Sequence, residues 1–168
     1  MSNNIFNQDF VEYLKLMNKH NVEYMHVGGM AVNLHGYRRS TGVMDLFVNP
    51  TEDNHRKLRY VHAEFGMHMG EMESLSNFLD TDKYNVYTYG VSPIQIDIMT
   101  ACKGLVFNEA FKSVVMAEIE SDFVVKVIQY DQLISAKKAS GRIRDKADIQ
   151  ELKKVKKKDN NKNKGFSM

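Results

Sequence analysis

At 168 residues, 43% hydrophobic and 26% charged, the chain has the size and composition of one globular domain with a real core. A net charge of +2 does not mark the whole chain as a polyanion binder, and a single cysteine, Cys102, excludes an internal disulfide. No apolar run approaches the roughly 18 residues that cross a bilayer, and "MSNNIFNQDF" lacks the basic-then-apolar pattern of a secretory leader. A soluble, cytoplasmic protein with no membrane attachment is expected.

Phe6, Phe10, Val11, Leu14 and Met17 share one face at helical spacing, which predicts an amphipathic helix over 7–20 with Asn21 as its stop. "VEYMHV" (22–27) reads as a strand broken by Gly28-Gly29, and "MAVNLHG" as a short helix ended by Gly36. "VMDLFV" (43–48) is a second strand, closed by Pro50. Thr51, Asp53 and Asn54 then start a helix that runs to Gly66. Met67, Met69 and Met72 are expected as gap-fillers beneath a mobile loop. "KYNVYTYG" (83–90) and "IQIDIM" (94–99) alternate like paired strands joined across "VSP", and "FNEAFKS" is a short helix. "VVMAEIES" and "FVVKVIQ" form a hairpin around Ser121-Asp122. Two helices, "YDQLISAKKASG" and "IRDKADIQELKKV", meet at Gly141.

Beyond Val155 the chain is Lys/Asn-rich with almost no apolar content, so residues 1–155 are expected to form the domain and 156–168 a disordered tail. The pattern is α+β: a small mixed sheet flanked by helices, with C-terminal helices.

A strand running into Gly28-Gly29 and then a helix suits an anion, because glycine lets a phosphate approach the backbone and the first helical N–H groups have no internal partners. The ordinary alternative is a tight turn. Asp45 shares a strand face with Val43 and Phe47, and Asp97 one with Gln95 and Met99. A carboxylate inside an apolar strand is costly without a metal or cation; for Asp45 the alternatives are an exposed face or an ion pair with Arg38 or Arg39. If the two strands are neighbours, the carboxylates converge. One or two carboxylates plus substrate phosphates hold Mg²⁺, which is the equipment of phosphoryl or nucleotidyl transfer.

The ordered set "HVGGMAVNLHGYRRSTGVMDLFV", "IQIDIMTACKGLVFNEAF" and "DQLISAKKASGRIRDKADIQEL" resembles the DNA-polymerase-β-like nucleotidyltransferase superfamily over Val22 to Leu152. The resemblance is closest to the small bacterial branch with abortive-infection and toxin–antitoxin nucleotidyltransferases. It implies the nucleotidyltransferase fold, and transfer of NMP from an NTP such as ATP to a hydroxyl with Mg²⁺ or Mn²⁺. It implies Asp45 and Asp97 as catalytic metal ligands, and Gly28, Gly29, Arg39, Thr41 and Lys137 at the nucleotide's phosphates. The acceptor it allows is a protein side chain, a tRNA end or a small molecule.

The departure is Val43, which stands where the family carries the first aspartate of Asp-x-Asp. Valine has no oxygen to donate. Losing charge stabilisation of several kcal/mol, at ~1.4 kcal/mol per tenfold in rate, lowers two-metal catalysis by about a thousandfold. A natural degenerate member and an isolated change in an active enzyme both fit. The second functional expectation is therefore a non-catalytic nucleotide-binding module, or one half of a toxin–antitoxin pair with a protein partner.

Arg142, Asp145 and Asp148 are expected to pin the last helix as an ion-pair network, and Lys137 and Lys138 to lie near phosphate or on a solvated helix face. The six histidines show no zinc-site spacing; His35 positions a substrate or is a satisfied core histidine. Tyr84, Tyr87 and Tyr89 stack bases or are ordinary strand aromatics. The Lys/Asn tail adds affinity for RNA or merely solubilises.

Overall fold

The computed structural model describes residues 7–120 and 122–165, so Phe6 and Ser121 lie outside the described residues. Helix α1 (Gln8–Lys19) buries Phe10, Val11, Tyr13, Leu14 and Met17, and the Asn7 side chain accepts the Asp9 N–H at its start. Strand β1 (Tyr24–Val27) is buried at every position, as a central strand covered on both faces must be. It runs directly into α2 (Gly28–Leu34), which begins at the glycine pair itself. Strand β2 (Val43–Val48) has the expected bounds. Helix α3 (Glu52–Phe65) starts on Thr51, whose side chain accepts the Asn54 N–H, and stops at a left-handed Gly66.

The segment expected as a mobile loop is packed. It holds a 3-10 turn (Gly70–Glu73) and helix α4 (Leu75–Leu79), with Met69, Met72 and Phe78 buried. The His55 ring bonds the Met72 carbonyl at 2.7 Å and Tyr89 donates its hydroxyl proton to Met69 O at 2.6 Å. Strands β3 (Val86–Val91) and β4 (Ile94–Met99), helix α5 (Phe107–Lys112), strands β5 (Val115–Glu120) and β6 (Phe123–Val127), and helices α6 (Tyr130–Ser140) and α7 (Ile143–Gly165) complete the chain.

The six strands form one mixed sheet in the order β3-β4-β2-β1-β6-β5. The β3/β4, β1/β2 and β5/β6 pairs are antiparallel, and β2/β4 and β1/β6 are parallel. Met44 and Leu46 of β2 and Ile96 and Ile98 of β4 are buried on one face. There Tyr89 meets the His62 ring edge-on, and His62 accepts the Tyr13 hydroxyl proton while its Nδ1–H donates to His68 O. The opposite face carries Asp45 and Phe47, the latter edge-on to Phe107 of α5. The architecture is α+β, a mixed sheet flanked by helices with two C-terminal helices.

Helices α6 and α7 are locked by charge. Lys137 Nζ lies 3.1 Å from Asp145 Oδ1 and 3.0 Å from Asp148 Oδ2, all three side chains being buried. Arg39 grips Asp148 with two bonds of 2.9 Å, and Arg142 Nε donates to Asp145 at 2.9 Å. Burial pushes Asp145 upward, but bonds from Arg142, Ser140 and Lys137 outweigh it and hold its carboxyl well below the usual range. This is the expected pinning network, with Arg39 and Lys137 added to it. Past Val155, where composition predicts disorder, the described helix continues to Gly165. Val155 of this helix meets Gly36: with φ +107, Gly36 leaves room that a Cβ would fill, 2.8 Å from Val155 Cγ1.

Removing one member of a buried ionic cluster strands the charges around it, at a cost of about 3–5 kcal/mol. Lys137→Met is expected at the lower end, because Arg39 and Arg142 still hold the two aspartates. The exposed neighbour Lys138→Met is expected within about 0.5 kcal/mol of wild type. Urea unfolding of the two variants checks the difference.

Candidate functional site

The parallel register of β2 and β4 sets Asp45 opposite Asp97, Val43 opposite Gln95 and Phe47 opposite Met99. Neighbouring residues of a parallel pair point to the same face, so the two carboxylates converge. Across the antiparallel pair with β1, Asp45 stands opposite Val27, the residue before the glycine turn. Gly28 has φ +66, and a Cβ there would lie 2.2 Å from Asp45 Oδ2. Only a residue without a Cβ lets the carboxylate lie across the turn.

Gly28, Asp45, Asp97, Cys102, Lys137 and Arg142 all line a cavity of about 370 Å³. Burial, the charge of Asp97 and a hydrogen bond between the two carboxyls together push the Asp45 carboxyl up to about 7, with Lys137 and Arg142 pulling the other way. Like carboxylates this close favour sharing a proton or a cation. Asp97 also accepts a 3.0 Å bond from Gln95 Nε2. Burial, with Asp45 nearby, raises the Cys102 thiol to about 11, so it is a neutral wall of the cavity.

Four of the expected site residues, Gly28, Asp45, Asp97 and Lys137, therefore share one cavity. Lys137 reaches it as part of the buried cluster, not on a solvated face. Arg39 and Thr41 do not enter it; they line a second groove with Arg38, Ser40, Gly42 and Pro93. There they stand behind Gly29, where a Cβ would be 3.0 Å from Thr41 Oγ1 and 3.3 Å from an Arg39 nitrogen. Thr41 donates to Val43 O at 3.1 Å, and the Arg39 backbone N–H donates to Asn33 Oδ1 at 2.7 Å. The ion pair weighed between Arg39 and Asp45 is absent: Arg39 bonds Asp148 instead.

Asn85, Cys102, Lys103 and Arg142 line the cavity without having been singled out for it. For Cys102 and Lys103 the available signal was position, since they leave β4 just beyond Asp97. His35 bonds Ile128 O at 2.7 Å and meets Tyr130 edge-on, a satisfied histidine. Tyr87 and Tyr89 are buried in the opposite face of the sheet.

Among the described residues, no group of three or more His, Cys, Asp or Glu side chains is placed to hold a metal ion. Asp145 and Asp148 are taken up by Arg39, Lys137 and Arg142. Asp45 and Asp97 do not make a protein cage. They fit a hard cation that arrives with phosphate oxygens of its own. Among the described residues, no helix is long and apolar enough to cross a membrane. No protein-family model matches the sequence, and no curated protein matches it.

In metal-free protein the folded state holds the Asp45 proton between its unfolded value, 3.8, and about 7, where the unfolded chain has lost it. Stability from this group is therefore greatest below about pH 4 and falls as pH rises towards 7, by up to about 1.4 kcal/mol per unit. Asp45→Asn is expected to flatten that slope. Urea midpoints of both proteins in a chelating buffer at pH 5, 6 and 7 measure it, and parallel slopes would contradict the shared-proton geometry.

Proposed function

We propose that the cavity binds a nucleoside triphosphate together with Mg²⁺ or Mn²⁺. In this reading the protein is a nucleotidyltransferase-like domain whose transfer of NMP to a hydroxyl acceptor is impaired at Val43. The observation that carries the reading is the facing of Asp45 and Asp97 across β2 and β4, against a glycine whose Cβ space the carboxylate fills. Two carboxylates held in a partly buried cavity, with Lys137 and Arg142 in its wall, make a place where a cation and a polyanion are both welcome.

In such a complex Asp45 and Asp97 would hold the cation, and Gly28, by leaving its Cβ space to the Asp45 carboxylate, would let that acid lie in the cavity wall. Arg142 adds a positive charge to the wall, the Asp145 bond fixing its guanidinium. The cation supplies neutralisation of charge on the phosphate oxygens. The acceptor is a hydroxyl of a protein, an RNA end or a small molecule. Opposite one another two rungs before the aspartates, on the same face, stand Val43 and Gln95, and neither carries a carboxylate. The stabilisation a third acid contributes is missing, which sets the expected rate about a thousandfold below that of a complete site.

One observation favours a second reading. The Gln95 amide donates to Asp97 on the face where a metal would sit. An acid engaged in this way suits a nucleotide-binding module without catalysis, working as one half of a protein pair.

Calorimetry with ATP, CTP, GTP and UTP, with and without Mg²⁺, tests the site. At least one nucleotide is expected to bind only with the metal and to lose more than tenfold in affinity in Asp97→Asn. Metal-independent binding, or none, rejects the proposal. A radiolabelled-NTP transfer assay on wild type and Val43→Asp separates the two readings. Labelling that rises by about a thousandfold in the variant identifies an enzyme lacking one acid. Retained binding with no labelling in either protein identifies the binding module.

A further inference from the structure

We propose that the C-terminal helix carries a second binding site, for single-stranded nucleic acid: Lys153, Lys154, Lys156 and Lys157 neutralise phosphates while Tyr130 stacks a base. These residues line, with Asn160, a groove of about 370 Å³, and none of the six lines the carboxylate cavity. The inference does not depend on the nucleotide reading of that cavity.

Charge is the first argument. Helix α7 carries nine of the chain's 23 Lys and Arg residues against four of its 21 Asp and Glu residues, so the remainder of the chain is net acidic. Two of those four acids, Asp145 and Asp148, are buried and already bound by Arg39, Lys137 and Arg142. The lysines from Lys153 to Lys158 are exposed, and of the four in the groove only Lys154 has an acidic partner among the described residues, Glu151 at 3.2 Å. An exposed pair of that kind contributes little. A run of like charges on one helix repels itself, and a polyanion laid along it removes the repulsion.

Geometry is the second. Lys153, Lys154, Lys157 and Asn160 follow helical spacing along one side of α7, a row of about 10 Å at 1.5 Å per residue. At the edge of that row the Lys156 ammonium sits 4.1 Å from the centre of the Tyr130 ring. His35 supports the same ring edge-on. The ring face is thus turned towards lysine and held from another side. A nucleobase takes the place of the ammonium on the ring, and the ammonium moves to the adjoining phosphate.

The groove favours a nucleic acid over an anionic membrane. The apolar residues of this half of α7 point inward: Leu152 is buried and Val155 abuts Gly36. Among the described residues of this half of α7, no apolar face is left to insert among lipids. A single strand suits the ring better than a duplex, since only unpaired bases offer a free face.

Fluorescence anisotropy on the full chain, with labelled 12-mers of U and dT, tests the proposal. Binding is expected to weaken roughly 50-fold between 50 and 200 mM salt, the slope for about four neutralised phosphates. Saturating Mg²⁺-ATP is expected to leave it unchanged. The quadruple variant K153Q/K154Q/K156Q/K157Q, its helix content verified by circular dichroism, is expected to lose most of the affinity. Tyr130→Ala is expected to weaken binding about tenfold, while Tyr130→Phe keeps it. Absence of binding at 50 mM salt, equal affinity of Tyr130→Ala and wild type, or equal or tighter binding to a 12-base-pair duplex or to phosphatidylserine vesicles would each overturn it.

Discussion

The candidate site exists because β2 and β4 lie side by side, parallel, in one particular register. Side chains alternate along a strand, so a slip of one residue would send Asp45 or Asp97 to the other face. What holds the register is the apolar set behind the acids: Met44, Leu46, Ile96 and Ile98 are all buried on the face towards α1 and α3. Each of those side chains contributes roughly 1.5–3 kcal/mol when removed from water. That sum far exceeds the repulsion between two carboxyls. The hydrophobic face therefore sets the acid pair in place, and burial, with the charge of Asp97 added to it, raises the Asp45 carboxyl.

The molecule has two pairs of aspartates, and their electrostatics differ in kind. Asp145 and Asp148 receive Arg39, Lys137 and Arg142, and both are held below the usual carboxylate range although burial pushes the other way. Asp45 has only distant help from Lys137 and Arg142, and it is pushed up. Acids saturated with cations hold a structure together; acids left short of cations have capacity for a ligand. Lys137 belongs to both regions, tied to the first pair while lining the cavity of the second. The ionic lock of α6 on α7 thus fixes one wall of the candidate site.

Much of this was legible before any coordinates. The β-branched and aromatic content of "VMDLFV", closed by Pro50, and the alternation of "IQIDIM" placed β2 and β4 to the residue. Thr51 and Gly66 bounded α3 through ordinary cap chemistry. Adjacency of the two strands could only be a wager, since strand pairing depends on contacts far apart in sequence. Helix α4 was missed because five residues carry no period; Ser74, whose side chain accepts the Asn77 N–H, was the one local sign. The family resemblance set Arg39 and Thr41 at the phosphates together with the glycines. Yet they lie behind the turn, because Asp148, remote in sequence, captures the guanidinium.

The least expected part of the sequence is also the easiest for the fold to accept. Val43 opens β2 opposite Gln95, half-buried, two rungs from the acid pair and on the same face. A β-branched residue suits a strand there, and an aspartate would add a third negative charge on the face already occupied by two. Stability therefore favours an uncharged side chain at this position. Gly28 has no such freedom: its positive φ and the carboxylate filling its Cβ space oppose any other residue. The Asp45 carboxylate and the glycine beneath it are thus matched in shape, whereas the fold asks of position 43 only a side chain that suits a half-buried strand.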